Sequence, residues 1–351
     1  MPFMTFANAI NDAFNESMAI DESVICYGLG VPDPKGVFGT TLGLQEKFGV
    51  DRVFDMPTAE NAMTGIGIGA ALYGLRPVMT HQRLDFALLS MDQLVNNAAK
   101  WRFMFGGQRG VPITIRMILG RGWGQGPTHS QNLQAWFAHI PGLKVVMPAT
   151  AEDAKGLLLS AIFDPDPVIF LEHRWLHNLK GEVPVGDVRI PIGQSKLLRE
   201  GDALTVVSMS YMTIEALHAV DHLRTQGIHC DLIDLRTVNP IDWSQIERSV
   251  QRTGRLLALD TGTLTGSISG EIVARVAANC WAALEGAPQR LAMPDCPEAT
   301  SPSLTEHYHV RAEHIAQHIG HMLSREVNPE ALTAQRKHPH DVPGDWFTGP
   351  F

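Results

Sequence analysis

The feature that most constrains the fold of this chain is a regular alternation of short apolar runs with amphipathic stretches. Stretches with helical periodicity, for example 91–105 and 150–163, separate runs that have the length and the Val and Ile content of buried strands. Apolar strands joined through helices pair in parallel and are covered on both faces. The first half of the chain is therefore predicted to form an α/β domain around a parallel sheet. The predicted strands lie at 24–30, 52–56, 76–82, 112–119, 144–149 and 167–173.

A break in this alternation predicts a second domain. Residues 179–202 are rich in Gly, Pro and charge, which is typical of a linker. The alternation then resumes and predicts a second, smaller parallel-sheet domain. A chain of 351 residues has the length expected for two domains of about 150 residues each. The predicted division is a domain at 1–178, the linker at 179–202, a domain at 203–327 and a polar tail at 328–351.

Charge and cysteine content exclude several functional classes. The chain has 28 Lys and Arg against 37 Asp and Glu, a formal net charge of −9, so nucleic acid and anionic membranes are not expected as partners. No stretch approaches the roughly 18 apolar residues of a membrane span, and the first residues lack the pattern of a signal peptide. The 4 cysteines are far apart and show no metal-binding spacing, which fits a reducing compartment. We therefore predict a cytoplasmic protein.

A glycine-rich segment raises the alternative of an NAD-dependent oxidoreductase. Residues 65–70 match the G-x-G-x-x-A variant of the dinucleotide-binding motif. That motif requires a strand that runs directly into the glycine turn, whereas eight other residues separate strand 52–56 from Gly65. The glycines are instead predicted to lie inside a helix, where they permit close packing.

Polar and aromatic side chains with catalytic potential follow three of the predicted strands. Glu60 follows strand 52–56, the segment 81–86 follows strand 76–82, and a glycine-rich loop with His129 follows strand 112–119. Because α/β sheets bind ligands at the carboxyl ends of parallel strands, these residues form a candidate site. For Glu60 taken alone, the simpler interpretation is a carboxylate that stabilises a helix N-terminus.

Several phrases along the chain together resemble one known family. They include DMPTAENAMTGIGIGAALYGLRPV (55–78), THSQ (128–131), AWFAHIPGLKVVMPATAEDAKGLLLSAI (135–162), RIPIGQSKLLREG (189–201) and LIDLRTVNPID (232–242). Over about residues 3–325, the chain resembles the beta subunit of the thiamine-diphosphate-dependent decarboxylase component of 2-oxo-acid dehydrogenase complexes. The resemblance implies a transketolase-like pyrimidine-binding domain followed by a transketolase C-terminal-like domain.

The resemblance implies roles for four residues of the candidate site. Glu60 matches the glutamate that bonds to N1′ of the aminopyrimidine ring of thiamine diphosphate. Phe86 matches the aromatic residue that packs on this ring, and Gln82 matches a polar neighbour of the ring. His129 matches the histidine near the reacting carbonyl, where it can donate a proton or stabilise developing charge.

The same resemblance implies metal ions and partners. Magnesium and the diphosphate group are held mainly by a separate alpha subunit, in an α2β2 heterotetramer with a contact between the beta subunits. This agrees with the lack of a Gly-Asp-Gly diphosphate motif in the chain. A potassium ion is implied in many relatives, bound mainly by backbone carbonyl groups at positions that match Ile113, Ala161, Ile162, Asp164 and Asp166.

The implied reaction is decarboxylation of a 2-oxo acid and transfer of the acyl unit to the lipoyl group of an acyltransferase. One alternative is a carboligase that passes the unit to an aldehyde or sugar, as half of a split transketolase-like enzyme. A non-catalytic pairing subunit is a second alternative, and the presence of Glu60 and His129 argues against it.

The chain departs from the usual family pattern near the presumed substrate side. His81, Arg83 and Arg121 stand where relatives usually carry less basic residues. Cationic side chains in a partly desolvated site form charge-assisted hydrogen bonds with anions. We therefore predict that these three residues contact the substrate, and that the substrate or acceptor carries a second anionic or strongly polar group. The alternative is that Arg83 points away from the substrate and forms an ion pair with Asp85 or with a carboxylate of the alpha subunit.

Overall fold

The computed structural model describes residues 1–334 and 336–349, which form two compact units. Unit 1 contains Met1–Arg121 and Thr128–Ile192, and unit 2 contains Gly122–Pro127 and the chain from Gly193 onward. No helix within the described residues combines the length and the apolar character needed to cross a membrane.

Unit 1 begins with a strand and helix and continues with the predicted alternation. Its strands are β1 (Phe3–Thr5), β2 (Val24–Tyr27), β3 (Val53–Phe54), β4 (Arg76–His81), β5 (Thr114–Leu119), β6 (Lys144–Val146), β7 (Val168–His173) and β8 (Lys180–Glu182). Its α-helices are α1 (Phe6–Ile20), α2 (Leu44–Phe48), α3 (Glu60–Leu72), α4 (Leu84–Ala87), α5 (Ala99–Met104), α6 (Gln134–Ala138) and α7 (Ala151–Phe163). Residues Gln93–Ala98 form a π-helix, and Leu88–Ser90 and Arg174–Leu176 form 3₁₀ helices.

Six strands of unit 1 lie in one sheet in the order β6-β7-β5-β4-β2-β3, and every neighbouring pair is parallel. Every residue of β5 and β7 is buried, as expected for central strands covered on both faces. Ile115 pairs with Met79 on one side and with Ile169 on the other. The predicted α/β class with a parallel sheet is confirmed for this unit.

Two helices of unit 1, α1 and α7, begin at side-chain caps. Thr5 accepts a hydrogen bond from the Asn8 backbone N–H at 3.1 Å, and Thr150 accepts one from the Asp153 N–H at 3.1 Å. Each cap satisfies a backbone donor that the first turn of a helix leaves unpaired. Helix α1 then buries an apolar face with Phe6, Ile10, Phe14 and Met18.

The glycine-rich segment lies inside α3, as predicted. At Gly67, an added Cβ atom would lie 2.2 Å from the Tyr27 hydroxyl, so only glycine permits this approach of α3 to β2. The same hydroxyl donates a hydrogen bond of 3.0 Å to the Met63 carbonyl of α3. Gly67 therefore serves helix–sheet packing.

Unit 2 is built on a second sheet with the strand order β14-β13-β10-β11-β9. Its strands are β9 (Lys196–Arg199), β10 (Thr205–Ser208), β11 (Asp231–Asp234), β12 (Thr237–Asn239), β13 (Leu256–Thr263) and β14 (Gln289–Met293). Its α-helices are α8 (Tyr211–Thr225), α9 (Trp243–Thr253), α10 (Ile268–Asn279), α11 (Ala312–Met322) and α12 (Glu330–Ala334). Residues Trp281–Ala283 and Pro302–Leu304 form 3₁₀ helices.

This second sheet is parallel except for β9, which pairs with β11 in the antiparallel sense. Strand β9 lies within the predicted linker, 179–202, and so does β8, which pairs with β1. Both strands are partly exposed, which is typical of edge strands. They are short and lie among Gly and Pro residues, so the sequence pattern does not reveal them as strands.

The described part of the polar tail packs on unit 2. Arg336 forms an ion pair with Glu313 of α11, and Arg311 donates a hydrogen bond of 2.6 Å to the Val342 carbonyl. Phe347 is 4% exposed. The tail is therefore part of unit 2, although Gln335, Pro350 and Phe351 lie outside the described residues.

Candidate active site

The four residues assigned to the cofactor or to catalysis follow carboxyl ends of strands in unit 1. Glu60 follows β3, Gln82 and Phe86 follow β4, and His129 follows β5. Strands β4 and β5 are adjacent, and β2 lies between β4 and β3. The parallel arrangement places all these chain ends on one side of the sheet.

Glu60 is the first residue of α3 and is 4% exposed. Its backbone carbonyl accepts a hydrogen bond of 2.8 Å from the Thr64 hydroxyl, in the next turn of the helix. Among residues 1–334 and 336–349, no hydrogen bond or ion pair reaches its carboxylate. A carboxylate is rarely buried without a partner, so Glu60 is well suited to accept a hydrogen bond from a bound ligand.

Gln82 connects the ends of β4 and β2. Its amide nitrogen donates a hydrogen bond of 3.1 Å to the Leu29 carbonyl, while the side chain stays exposed to ligands. Gly30 has φ = +74°, and a Cβ atom there would lie 2.7 Å from that amide nitrogen. The carboxylate of Asp55, just after β3, accepts a hydrogen bond of 3.2 Å from the Gly30 N–H. These contacts join three strand ends into one surface. Asp55 is not among the site residues predicted from the sequence.

Phe86 and His129 are brought together by the fold. Their rings meet edge to face, with centroids 5.4 Å apart and an interplanar angle of 85°. The Thr128 hydroxyl lies 3.0 Å from His129 Nδ1, and both His129 and Phe86 are half-buried. A histidine held in this way, with part of its ring open to solvent, can exchange protons with a small ligand.

The segment after β4 also contacts both ends of the loop that carries His129. Arg83 donates a hydrogen bond of 2.7 Å to the Gly120 carbonyl, and Asp85 accepts one of 2.7 Å from Gln131. Burial, which disfavours the charged carboxylate, raises the pKa of Asp85. Neither Asp85 nor Gln131 is among the site residues predicted from the sequence.

The three basic residues predicted to contact the substrate are buried in the chain. His81, Arg83 and Arg121 are 3%, 2% and 1% exposed. Burial lowers the pKa of His81 to about 4, so this ring is uncharged near neutral pH and adds no positive charge to the site. Substrate contact by the three residues stays a prediction.

A buried ionic network lies at the end of β7 and was missed by the sequence analysis. Arg116 donates a hydrogen bond of 2.9 Å to Glu172, and His177 Nε2 lies 3.2 Å from the same carboxylate. Burial acts to raise the pKa of Glu172, but Arg116 and His177 together hold it below its usual value. Burial lowers the pKa of His177 to about 4. The sequence shows acidic and basic side chains close together in Glu172, His173 and His177. The partner of Glu172, Arg116, lies 56 positions earlier in the chain, so the network is not visible as a local pattern.

The predicted potassium ligands lie around the turn between α7 and β7. The carbonyl of Ile113 accepts a hydrogen bond from Val168 at 3.0 Å, and those of Ile162 and Asp164 accept bonds from Arg76 at 3.2 and 3.4 Å. Lys144 contacts both carboxylate oxygens of Asp164 at 2.7 Å. Carbonyl oxygens are suitable ligands for a hard cation and each has a second lone pair, and potassium binding by this set stays a prediction.

The remaining predicted ligands share this turn. Asp166 forms an ion pair with Arg102, and the Ala161 carbonyl accepts a hydrogen bond of 3.3 Å from the Asp164 N–H. A bound ion would therefore share the turn with three basic side chains, Arg76, Arg102 and Lys144. Within the described chain, this turn included, no group of three or more His, Cys, Asp and Glu side chains is placed to hold a metal ion.

Family models match most of the chain. The model described as "Transketolase, pyrimidine binding domain" matches residues 3–179, and "Transketolase, C-terminal domain" matches residues 193–315. A solved structure described as "Split gene transketolase, inactive beta4 tetramer" has a TM-score of 0.74 and 19% sequence identity, and the match covers 92% of this chain and 99% of that one. This likeness shows a transketolase-like fold.

Curated relatives are more similar in sequence. The chain is 40% identical over 317 residues to "2-oxoisovalerate dehydrogenase subunit beta" of Bacillus subtilis, a match that covers 90% of this chain and 97% of the relative. It is 41% identical to "Acetoin:2,6-dichlorophenolindophenol oxidoreductase subunit beta" of Cupriavidus necator, over 88% of this chain and 94% of the relative. It is 43% identical to "Pyruvate dehydrogenase E1 component subunit beta" of Rhizobium meliloti, over 79% of this chain and 60% of the relative.

Proposed function

The chain belongs to the transketolase-like family of 2-oxo-acid dehydrogenase E1 beta subunits, and from this premise we propose that it acts in decarboxylation of a 2-oxo acid. It works as the beta subunit of a thiamine-diphosphate-dependent enzyme and needs an alpha subunit for activity. The acyl unit passes to an acceptor, the lipoyl group of an acyltransferase.

The observation that carries this proposal is Glu60, a residue 4% exposed whose carboxylate has no hydrogen-bond partner within the described chain. Thiamine diphosphate supplies a nucleophilic carbon, C2, once that carbon loses its proton. Glu60 would hold N1′ of the aminopyrimidine ring through a hydrogen bond that favours proton density there, the condition under which the neighbouring 4′-amino group can take its basic imine form. Shelter from water strengthens this bond, because the protein surroundings compete for it less than water does.

The other site residues orient and protect the reacting groups. Phe86 offers an aromatic face for the pyrimidine ring, and Gln82 offers an amide beside it. His129, placed by its contact with Phe86, donates a proton to the substrate carbonyl or stabilises the negative charge that develops there.

The alpha subunit supplies the magnesium and diphosphate half of the site, in an α2β2 assembly with contacts between beta subunits. The sequence supports this division because it lacks the Gly-Asp-Gly diphosphate motif. We further propose that potassium binds at the turn after α7, through the carbonyl oxygens described above. A cytosolic location is supported by the four free cysteines, of which three are buried.

The carboligase alternative has less support than the dehydrogenase proposal. The relatives at about 40% identity are named as dehydrogenase or oxidoreductase subunits, whereas the split transketolase matches at 19% and shares the fold only. No contact described in the site favours an aldehyde or sugar acceptor.

The proposal is tested with Glu60→Gln, measured as deuterium exchange at C2 of thiamine diphosphate in the complex with the alpha subunit. We expect exchange to slow by a factor on the order of 10² to 10⁴, because an amide relays protons poorly to N1′. Exchange in the parent should require the alpha subunit. The matched control is Glu46→Gln, since Glu46 also lies in the first turn of a helix. If Glu60→Gln exchanges at the parent's rate, Glu60 does not act on the cofactor and only stabilises the N-terminus of α3.

A further inference from the structure

The loop that carries His129, residues 120–131, is closed at its base. The Gly120 N–H donates a hydrogen bond of 3.3 Å to the Gln131 carbonyl, so the first and last residues of the loop are in direct contact. Gly120 has φ = +74°, and an added Cβ atom would lie 2.1 Å from His173 Nε2. The loop therefore begins at a fixed point on the end of β7.

One short segment contacts this loop in three places. Within residues 83–86, Arg83 bonds to the Gly120 carbonyl at the start of the loop, and Phe86 packs against His129 near its end. Between them, Asp85 Oδ1 accepts a hydrogen bond of 2.7 Å from the Gln131 side chain at the last position. Segment 83–86 thus holds both ends of the loop and the ring of His129.

We propose that Asp85 and Gln131 are positioning residues that fix the His129 loop for catalysis. The catalytic role of His129 rests on the proposed function, whereas the contacts that hold the loop do not depend on it. The second carboxylate oxygen of Asp85 is buried and has no hydrogen-bond partner among the described residues. The Gln131 side chain gives the carboxylate its one side-chain hydrogen bond, beside backbone N–H groups of Asp85 and Gln131, so loss of the side-chain bond weakens the hold on the last residue of the loop.

The geometry predicts a reciprocal pair of variants. Gln131→Glu places a second carboxylate against Asp85 and should release the end of the loop, because like charges repel at this distance. Asp85→Asn keeps an acceptor for Gln131 and should leave the loop in place. The double variant Asp85→Asn with Gln131→Glu restores the hydrogen bond with donor and acceptor exchanged, so it should recover the parent's behaviour.

The first measurement is trypsin cleavage after Arg121 in the full chain, followed by mass spectrometry of fragment 1–121. Arg121 is 1% exposed, so cleavage there requires the loop to open. We expect Gln131→Glu to be cut about tenfold faster than the parent or more, with the double variant restored to within about twofold of the parent rate. Gln108→Glu, at an exposed glutamine, is the matched control. Equal rates for Gln131→Glu and Gln108→Glu, or no recovery in the double variant, would overturn the proposal.

The second measurement is steady-state kinetics of the complex with the alpha subunit. Misplacement of His129 should lower kcat more than it raises KM, and the double variant should recover kcat. If the double variant recovers protection of the loop from trypsin but does not recover kcat, the contact between Asp85 and Gln131 does not serve catalysis. A parent complex that does not turn over 2-oxo acids would contradict the proposed function, while the proteolysis result would still decide whether Asp85 and Gln131 hold the loop.

Discussion

At the scale of single residues, burial decides which basic side chains carry charge. His81 ends β4 and is 3% exposed, and among the described residues its Nε2 atom has no hydrogen-bond partner. The sequence places it beside Arg83 and so suggests a cationic cluster. The structure gives a neutral ring instead, because an imidazolium would lose its hydration without gaining a counter-charge.

This burial predicts a loss of stability in acid. The pKa of His81 is about 4 in the folded chain, against an ordinary value of 6.5. Above pH 6.5 both states are neutral and the group contributes nothing; between 6.5 and 4 only the unfolded chain binds the proton. The free energy of unfolding should therefore decrease as the pH is lowered through this range, and the loss should reach about 3 kcal/mol at pH 4.

Urea unfolding of His81→Gln at several pH values measures this contribution. We expect a shallower loss of stability below about pH 6.5 than in the parent. His177 has a pKa lowered to a similar value, so part of the slope should remain. His139→Gln, at an exposed histidine, is the control. An identical pH dependence in parent and His81→Gln would contradict the neutral buried state.

At the scale of elements, glycines in one helix have different roles. In α3, Gly67 is buried against Tyr27 of β2, whereas a Cβ atom at Gly69 would meet no atom within 4 Å. Glycine in a helix costs about 0.5–1 kcal/mol relative to alanine, so a buried glycine needs a packing reason. Gly67 has such a reason within the described chain.

Alanine substitutions should therefore have opposite effects at these two positions. Gly67→Ala should lower the free energy of unfolding by about 1–3 kcal/mol, because the new methyl group displaces Tyr27 and its hydrogen bond to Met63. Gly69→Ala should raise it by about 0.5–1 kcal/mol. Both values follow from chemical denaturation of the full chain. A stabilised Gly67→Ala would show that α3 packs less closely on β2.

Elements with strong local signals could be predicted, and elements defined by distant partners could not. The buried strands of unit 1, the caps Thr5 and Thr150 and the placement of the glycines in α3 follow from local patterns. Strands β8 and β9 and the π-helix do not, because pairing and packing define them more than composition does. In the site, Asp85 and Gln131 are 46 positions apart, so their contact needs the folded sheet to become visible.

At the scale of the whole molecule, the tail completes unit 2. The matched C-terminal family model ends at residue 315, and the tail continues beyond it to pack on α11. The ion pair of Arg336 with Glu313 and the bond from Arg311 to Val342 fix its path, and Phe347 is buried. These contacts supply apolar burial and charge pairing that a chain ending at α11 would lack.

Removal of residues 328–351 should therefore destabilise the protein. We expect the melting temperature to fall by about 5 °C or more, since a buried aromatic side chain and a partly buried ion pair are lost together. Glu313→Gln, which breaks the ion pair alone, should produce a smaller decrease. Differential scanning calorimetry measures both. An unchanged melting temperature in the truncated chain would show that the tail adds no stability.

The closed base of the His129 loop has a consequence for evolution. Side chains from one neighbouring segment fasten both ends, and two exposed positions between them, Gly124 and Pro127, make none of the anchoring bonds. Substitutions at these two positions can accumulate while the histidine near the end of the loop keeps its place, as exposed loop residues do in many enzyme families. New substrate preferences can then arise by exchange of a few residues, without redesign of the sheet beneath.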